Sequence, residues 1–392
     1  MVTFSLPKVL FLSVWLVRVV FSMVYTILPL HLERMGISVA MIGVITGIYG
    51  YAAFAMDMTS AVFIDHFRKQ TMIKIGLVGI LWFCVGYCIE STSVVYFAFL
   101  QILLGLSLGV FRPASTALTV ELAGTKKAGS ALGLYNMAYI LGGCCGPLIA
   151  TLIVKFVSYQ GLFITASSVV FIIIISLQIN FNRKDEILRP RLHVMEHMQG
   201  LRRLLLDSKI YFPMMFMLID TLILRMWMTY LPIFGNDQLD ISVIQIGTIM
   251  SIESIAYVIT QPLWGKVVDR GSLKFALLVG LLSPALIALT PIAKTFYFLL
   301  FIYALMGLFN SAAYVGYTKL AIQFSGDNDR GKVMSLMSAS SDIGHIVGPL
   351  LGALVIKGFG KTEYLFYLPG FICLILGLFI VMRFRSISPS YE

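Results

Sequence analysis

Apolar residues run along this chain in stretches of about 20 or more, separated by short polar breaks. As helices, such stretches cross the ~30 Å hydrocarbon core of a bilayer. The pattern predicts twelve spans, over 9–31, 39–64, 71–90, 94–122, 129–156, 161–181, 209–234, 242–267, 273–291, 296–324, 331–357 and 364–383. One long polar interruption, "NRKDEILRPRLHVMEHMQGLRRLLLDS", divides them six and six. The expected fold is therefore an all-α membrane protein: an N-terminal six-helix bundle over 1–181, a cytoplasmic linker over 182–208 and a C-terminal six-helix bundle over 209–392. Inside the linker, Val194, Met198, Leu201 and Leu205 recur at helical spacing beside Arg202 and Arg203. That suits an interfacial amphipathic helix or a solvated connection equally.

Composition narrows the picture. Of 392 residues 59% are hydrophobic and 12% charged, which leaves no segment for a soluble domain. The five cysteines, Cys84, Cys88, Cys144, Cys145 and Cys373, all fall inside spans, where a thiol acts as a small hydrophobe. Their spacing suggests neither a disulfide framework nor a metal site, and no cofactor is expected. The first apolar run continues through Arg18 without a small-residue cleavage site, so it is read as a span and not as a signal peptide. The net charge of +10 would suit nucleic acid, but its placement argues otherwise. With both termini in the cytoplasm, twenty Lys and Arg residues fall inside and five outside (Arg34, Lys155, Lys294, Lys357 and Lys361). This is the positive-inside pattern, and the charge is topological. No Ser/His/Asp set, H-E-x-x-H or phosphate-binding loop is present, so an enzyme is not expected.

The two halves repeat at an offset of about 202 to 204 residues. "AVFIDHFRKQ" (61–70) is echoed by "GKVVDRGSLK" (265–274), and "AYILGGCCGPLIA" (138–150) by "SSDIGHIVGPLLG" (340–352). A parallel repeat of six-span halves is a transporter architecture. With the loop motifs around Asp65 and Asp269 and the fifth-span Gly142-x-x-x-Gly146-Pro147 pattern, the chain resembles the major facilitator superfamily over nearly its whole length. Within it, the twelve-span drug/proton antiporter branch is most similar. The resemblance implies a latch on the cytoplasmic side. Asp65 would face the start of span eleven, Arg68 would pair with Glu121, and Asp269 with Arg270 would do the matching work near Gly129. The alternative is that these loop charges only set topology. Gly142, Gly146, Pro147, Gly344, Gly348 and Pro349 read as packing and hinge elements, because small residues allow close helix approach and proline permits a bend. One departure matters: the resemblance implies an arginine about four residues before Gly105, where this chain has Gln101. Arg112 instead lies two turns beyond, before Pro113.

Ionisable side chains at membrane depth are costly and mark function. Nine occur: Arg18, Asp57, Arg112, Asp220, Arg225, Glu253, Lys319, Asp342 and His345. From a rise of ~1.5 Å per residue, Arg18, Asp220, Glu253 and Asp342 lie about 15 Å in, near the midplane where transporters bind their substrates. Arg18, Arg112 and Arg225 suit a carboxylate or phosphate. With Asp220, Trp227, Tyr230, Tyr257 and Tyr139 they form the expected substrate site, although an Arg18–Asp220 ion pair between the halves is a structural alternative. Proton coupling needs groups that exchange a proton in the working pH range, and Glu253, Asp342, His345 and Asp57 are the candidates. A mutual Asp342–His345 hydrogen bond is the structural alternative there. Lys319, near the end of span ten, is read as snorkelling to the surface.

The expected function is a monomeric, proton-coupled antiporter in the cell membrane of a bacterium. It would export a small anionic or zwitterionic metabolite, such as a metallophore, or a drug, by alternating access. Proton symport or facilitated uptake of a sugar- or peptide-like solute is the alternative within transport, and a lipid flippase the alternative outside it.

Overall fold

The computed structural model describes residues 6–66, 68–123, 128–180, 203–204, 207–325, 330–372 and 375. The predicted linker lies almost wholly outside these residues. Chain contacts divide the molecule into two compact units, Met1–Arg191 and Leu192–Glu392.

The first unit contains α1 (Leu6–Arg34), α2 (Val39–His66), α3 (Lys69–Gly86), α4 (Val94–Ala123), α5 (Ala128–Phe156) and α6 (Tyr159–Asn180). Its main packing pairs are α1 with α5, α2 with α4 and α3 with α4. The outer surfaces of α3 and α6 carry Ile75, Trp82, Phe171 and Ile172 exposed, as lipid-facing helices should.

The second unit contains α7 (Ser208–Gln238), α8 (Val243–Asp269), α9 (Leu273–Gly280), α10 (Leu282–Ile287), α11 (Phe296–Phe324) and α12 (Arg330–Phe359), with a further helical stretch over 364–372. Its helix starts are set by side chains that accept otherwise unpaired backbone N–H groups. Asp207 accepts from Lys209 N at 2.9 Å, and Thr295 from Phe298 N at 3.3 Å. Ser242 and Gln245 form a reciprocal capping box. The packing repeats that of the first unit, with α7 on α12, α8 on α11, and α9 and α10 on α11.

Ten helices among the described residues are long and apolar enough to cross a membrane. The other two of the twelve predicted spans have separate explanations. The twelfth leaves the described residues after its first turns. The ninth, expected as one helix over 273–291, is broken into α9, α10 and a 3₁₀ turn over Thr290–Ile292. Pro284 has no N–H to offer the Gly280 carbonyl, and a second proline, Pro291, sits in the 3₁₀ turn that closes the span.

Candidate functional site

In the first unit, side chains of α1, α2, α4 and α5 line a pocket. Its polar lining is Arg18, Tyr49, Arg112, Tyr135 and Tyr139, and its apolar lining includes Val14, Val17, Phe21, Leu108 and Phe111. The Arg18 guanidinium lies over the Phe21 ring at 5.0 Å and the Tyr139 ring at 4.5 Å. One nitrogen, Nη1, donates to the Tyr139 hydroxyl at 3.3 Å. Its Nε is buried without a hydrogen-bond partner among the described residues. Arg112 stands where α4 passes Pro113, and its carbonyl accepts from Ser115 Oγ at 3.0 Å and Thr116 Oγ1 at 2.9 Å. The Tyr135 hydroxyl shares a 2.9 Å hydrogen bond with Ser115 Oγ. Two guanidiniums among rings and aliphatic side chains can bind an anion carried by an apolar body.

Gln101, which replaces the arginine implied by the resemblance, is fully buried in a neutral network. Tyr25 donates to its Oε1 at 3.3 Å, and its Nε2 donates to the Tyr87 hydroxyl at 3.1 Å. Phe21, Tyr25 and Tyr49 pack beside this network with ring centroids within 5.6 Å of one another, Phe21 stacked on Tyr25 and Tyr49 tilted or edge-on to both.

The second unit collects acids. Asp220 on α7 accepts from the Tyr317 hydroxyl at 2.8 Å. With the Asn310 amide turned so that its nitrogen faces the carboxylate, Asn310 also donates to Asp220 at 2.9 and 3.2 Å. Glu253 on α8 is buried and accepts from Ser254 Oγ at 3.0 Å. Asp342 and His345 on α12 approach to 3.9 Å, Oδ1 to Nδ1, which is ion-pair range but too long for the hydrogen bond considered from sequence. Tyr257 packs edge-on against Tyr314, and Tyr314 against Tyr317, continuing the tyrosine cluster beside Asp220. Arg225 presses its Cβ towards Gly348 of α12.

Several expectations are corrected. Trp227 and Tyr230 are core residues of α7: Trp227 packs on Tyr303 with ring centroids 5.0 Å apart, and the Tyr230 hydroxyl donates to Pro349 O at 2.8 Å. Arg18 and Asp220 each find their described partners within their own unit, Tyr139 and Phe21 for one, Tyr317 and Asn310 for the other. Glu121 is paired with Lys69 and not with Arg68, because Arg68 takes the extended N-cap position of α3 and Lys69 opens the helix. Lys319 reaches towards the surface and donates to the exposed carboxylate of Asp269 at 2.7 Å. Arg270 caps the C-terminus of α8 and is exposed. Asp57 and Asp65 belong to α2, but their side chains lie outside the described set.

The small-residue motifs meet helix backbones. A Cβ on Gly142 would come within 2.6 Å of Trp15 O, and one on Gly146 within 2.9 Å of Val19 O, both on α1. Gly344 and Gly348 stand in the same relation to Leu218 O and Leu222 O on α7. Pro147 and Pro349 lie inside α5 and α12.

Sequence reasoning missed Tyr317, Asn310 and Lys69. No spacing pattern links these residues to their partners, which are 97, 90 and 52 positions away along the chain. Only the packing of α11 on α7 and of α3 on α4 joins them.

The Major Facilitator Superfamily profile matches residues 10–243 and 210–392. Multidrug resistance protein MdtG of Salmonella typhimurium is 25% identical over 364 residues, covering 90% of this chain and 89% of the relative. The protein of the same name from Salmonella arizonae is 25% identical over 363 residues, with the same coverage of 90% and 89%. Among solved structures, the nucleoside transporter NupG superposes with a TM-score of 0.82 at 12% identity, covering 97% of this chain and 100% of its own. A POT family transporter in complex with 5-aminolevulinic acid gives 0.79 at 15% identity, covering 98% and 96%. At these identities the two structures establish a shared fold.

Proposed function

The chain belongs to the Major Facilitator Superfamily, and as a multi-pass membrane transporter of that family, not an enzyme, we propose that it is a proton-coupled antiporter exporting a small anionic or zwitterionic organic molecule from the cell. One observation carries the substrate class: Arg18 and Arg112 line one pocket of the first unit together with aromatic and aliphatic side chains. A guanidinium binds carboxylate or phosphate through two parallel N–H donors, and the apolar lining suits the rest of an amphipathic molecule. The likeness to multidrug resistance proteins supports export. Glu253 and the Asp342–His345 pair supply candidate proton carriers in the second unit.

The test uses the full chain in proteoliposomes with an imposed pH gradient and a panel of labelled small carboxylates and their neutral amides. Antiport requires a carboxylate to accumulate on the side with the higher proton concentration. Accumulation on the opposite side makes the protein a symporter. Transport of the amides in preference to the acids removes the anionic substrate from the proposal.

A further inference from the structure

Tyr135 and Tyr139, one turn apart on α5, both line the pocket of the first unit. Tyr139 serves Arg18 of α1, with its ring against the guanidinium and its hydroxyl accepting from Nη1. Tyr135 has a different target. Ser115 Oγ gives its one proton to the Arg112 carbonyl at 3.0 Å, so the buried Tyr135 hydroxyl donates to Ser115 Oγ at 2.9 Å, with the Arg112 carbonyl as a second acceptor at 3.4 Å.

The carbonyl so held belongs to a weak point of α4. Pro113, the next residue, has no N–H for the Gly109 carbonyl and its ring crowds that oxygen, which permits a bend at this turn. Ser115 and Thr116 both bond back to the Arg112 carbonyl, at 3.0 and 2.9 Å, a pattern that loosens the same turn further. Arg112 lines the pocket from here. The main packing of α4 is on α2 and α3, and that of α5 is on α1. The Tyr135–Ser115 bond therefore ties helices of different packing pairs together, at the turn that sets the direction of Arg112.

We propose that Tyr135 is a positioning residue for substrate binding: through Ser115 it clamps the Pro113 turn of α4 to α5 and so holds the Arg112 guanidinium on the pocket. This deepens the proposed function and rests on its anionic substrate. The internal repeat supplies a comparison within the same chain. At an offset of 202 residues, Arg112, Pro113, Ser115 and Tyr135 align with Tyr314, Val315, Tyr317 and Met337. The second unit thus has neither arginine nor proline at that turn, and Tyr317 and Met337 belong to one of its apolar clusters. The clamp is found in the unit that has an arginine at this turn to place.

The experiment measures transport by the full chain in proteoliposomes under a pH gradient, with labelled benzoate, glutamate and citrate as probes. Tyr135→Phe keeps the ring and loses the hydroxyl. It should raise KM for each transported probe about threefold to tenfold, the scale of one hydrogen bond, and change KM more than kcat. In an Arg112→Ala background the same substitution should change KM less than about twofold, because the clamp then has no guanidinium to place. A tyrosine with a merely structural role would give the same factor in both backgrounds, and that result overturns the proposal. So does an unchanged KM in folded Tyr135→Phe; either outcome leaves the anionic substrate standing. Ser115→Ala breaks the clamp from the α4 side and should match Tyr135→Phe, and it takes over the test if the phenylalanine variant fails to fold. No transport of any of these probes by the wild type overturns the anionic substrate and the role of Tyr135 together.

Discussion

Arg18 and Glu253 show how the same cost, a charge at membrane depth, is met in two ways. The arginine is held by ring faces and one long hydrogen bond. The glutamate is buried with a hydroxyl as its hydrogen-bond donor, and a carboxyl so placed suits the gain and loss of a proton through a transport cycle. Glu253→Gln keeps shape and the Ser254 contact but cannot exchange a proton. It should abolish pH-driven transport while leaving the unfolding temperature within a few degrees of wild type, and Asp342→Asn should behave alike. If both variants accumulate substrate at the wild-type rate under a pH gradient, neither carries the coupling proton. Asp220 differs from both, because Tyr317 and Asn310 already satisfy it.

Among the helices, the duplicated G-x-x-x-G-P pattern sets how closely α5 meets α1 and α12 meets α7. Gly348→Ala drives a Cβ into the Leu222 carbonyl and should destabilise the protein by about 2 kcal/mol or more. Gly133→Ala, on α5 with open space around it, is the control and should be neutral or slightly stabilising. Thermal unfolding in detergent compares them; equal stability of the two variants would mean that the α7–α12 contact relaxes without cost. Helix ends carry a second repeated device with reversed polarity. Lys69 at the start of α3 pairs with Glu121 near the end of α4, while Asp269 at the end of α8 pairs with Lys319 near the end of α11. Exposed pairs contribute only about 0–1 kcal/mol to stability, so a large effect of charge reversal on transport would have to come from the cycle itself. Lys319→Glu should slow transport, and Asp269→Lys combined with it should restore at least half the rate. A double variant no faster than the single one would mean that the pair has no role in turnover.

For the whole molecule, the distribution of Lys and Arg predicts which way the chain is threaded. With native cysteines replaced, a membrane-impermeant maleimide should label Lys361→Cys in intact cells and Lys274→Cys only after permeabilisation; the reverse pattern would invert the assigned topology. By itself the sequence determined the helical membrane fold, the duplication and the residues at depth, because bilayer thickness and the expense of buried charge impose one-dimensional patterns that survive any packing. It also pointed to Arg18, Glu253 and Asp342. Tertiary structure alone decided which partner each has. Tyr317 and Asn310 reach Asp220, Lys69 takes the place of Arg68 at Glu121, and the Tyr230 hydroxyl donates to Pro349 O. It also broke the ninth span, where Pro284 removes a donor that hydropathy does not register. Partners are chosen by which helix faces meet at a few ångströms, and the contacts between α7 and α11, or α1 and α5, join residues too far apart in the chain for any local pattern to specify them.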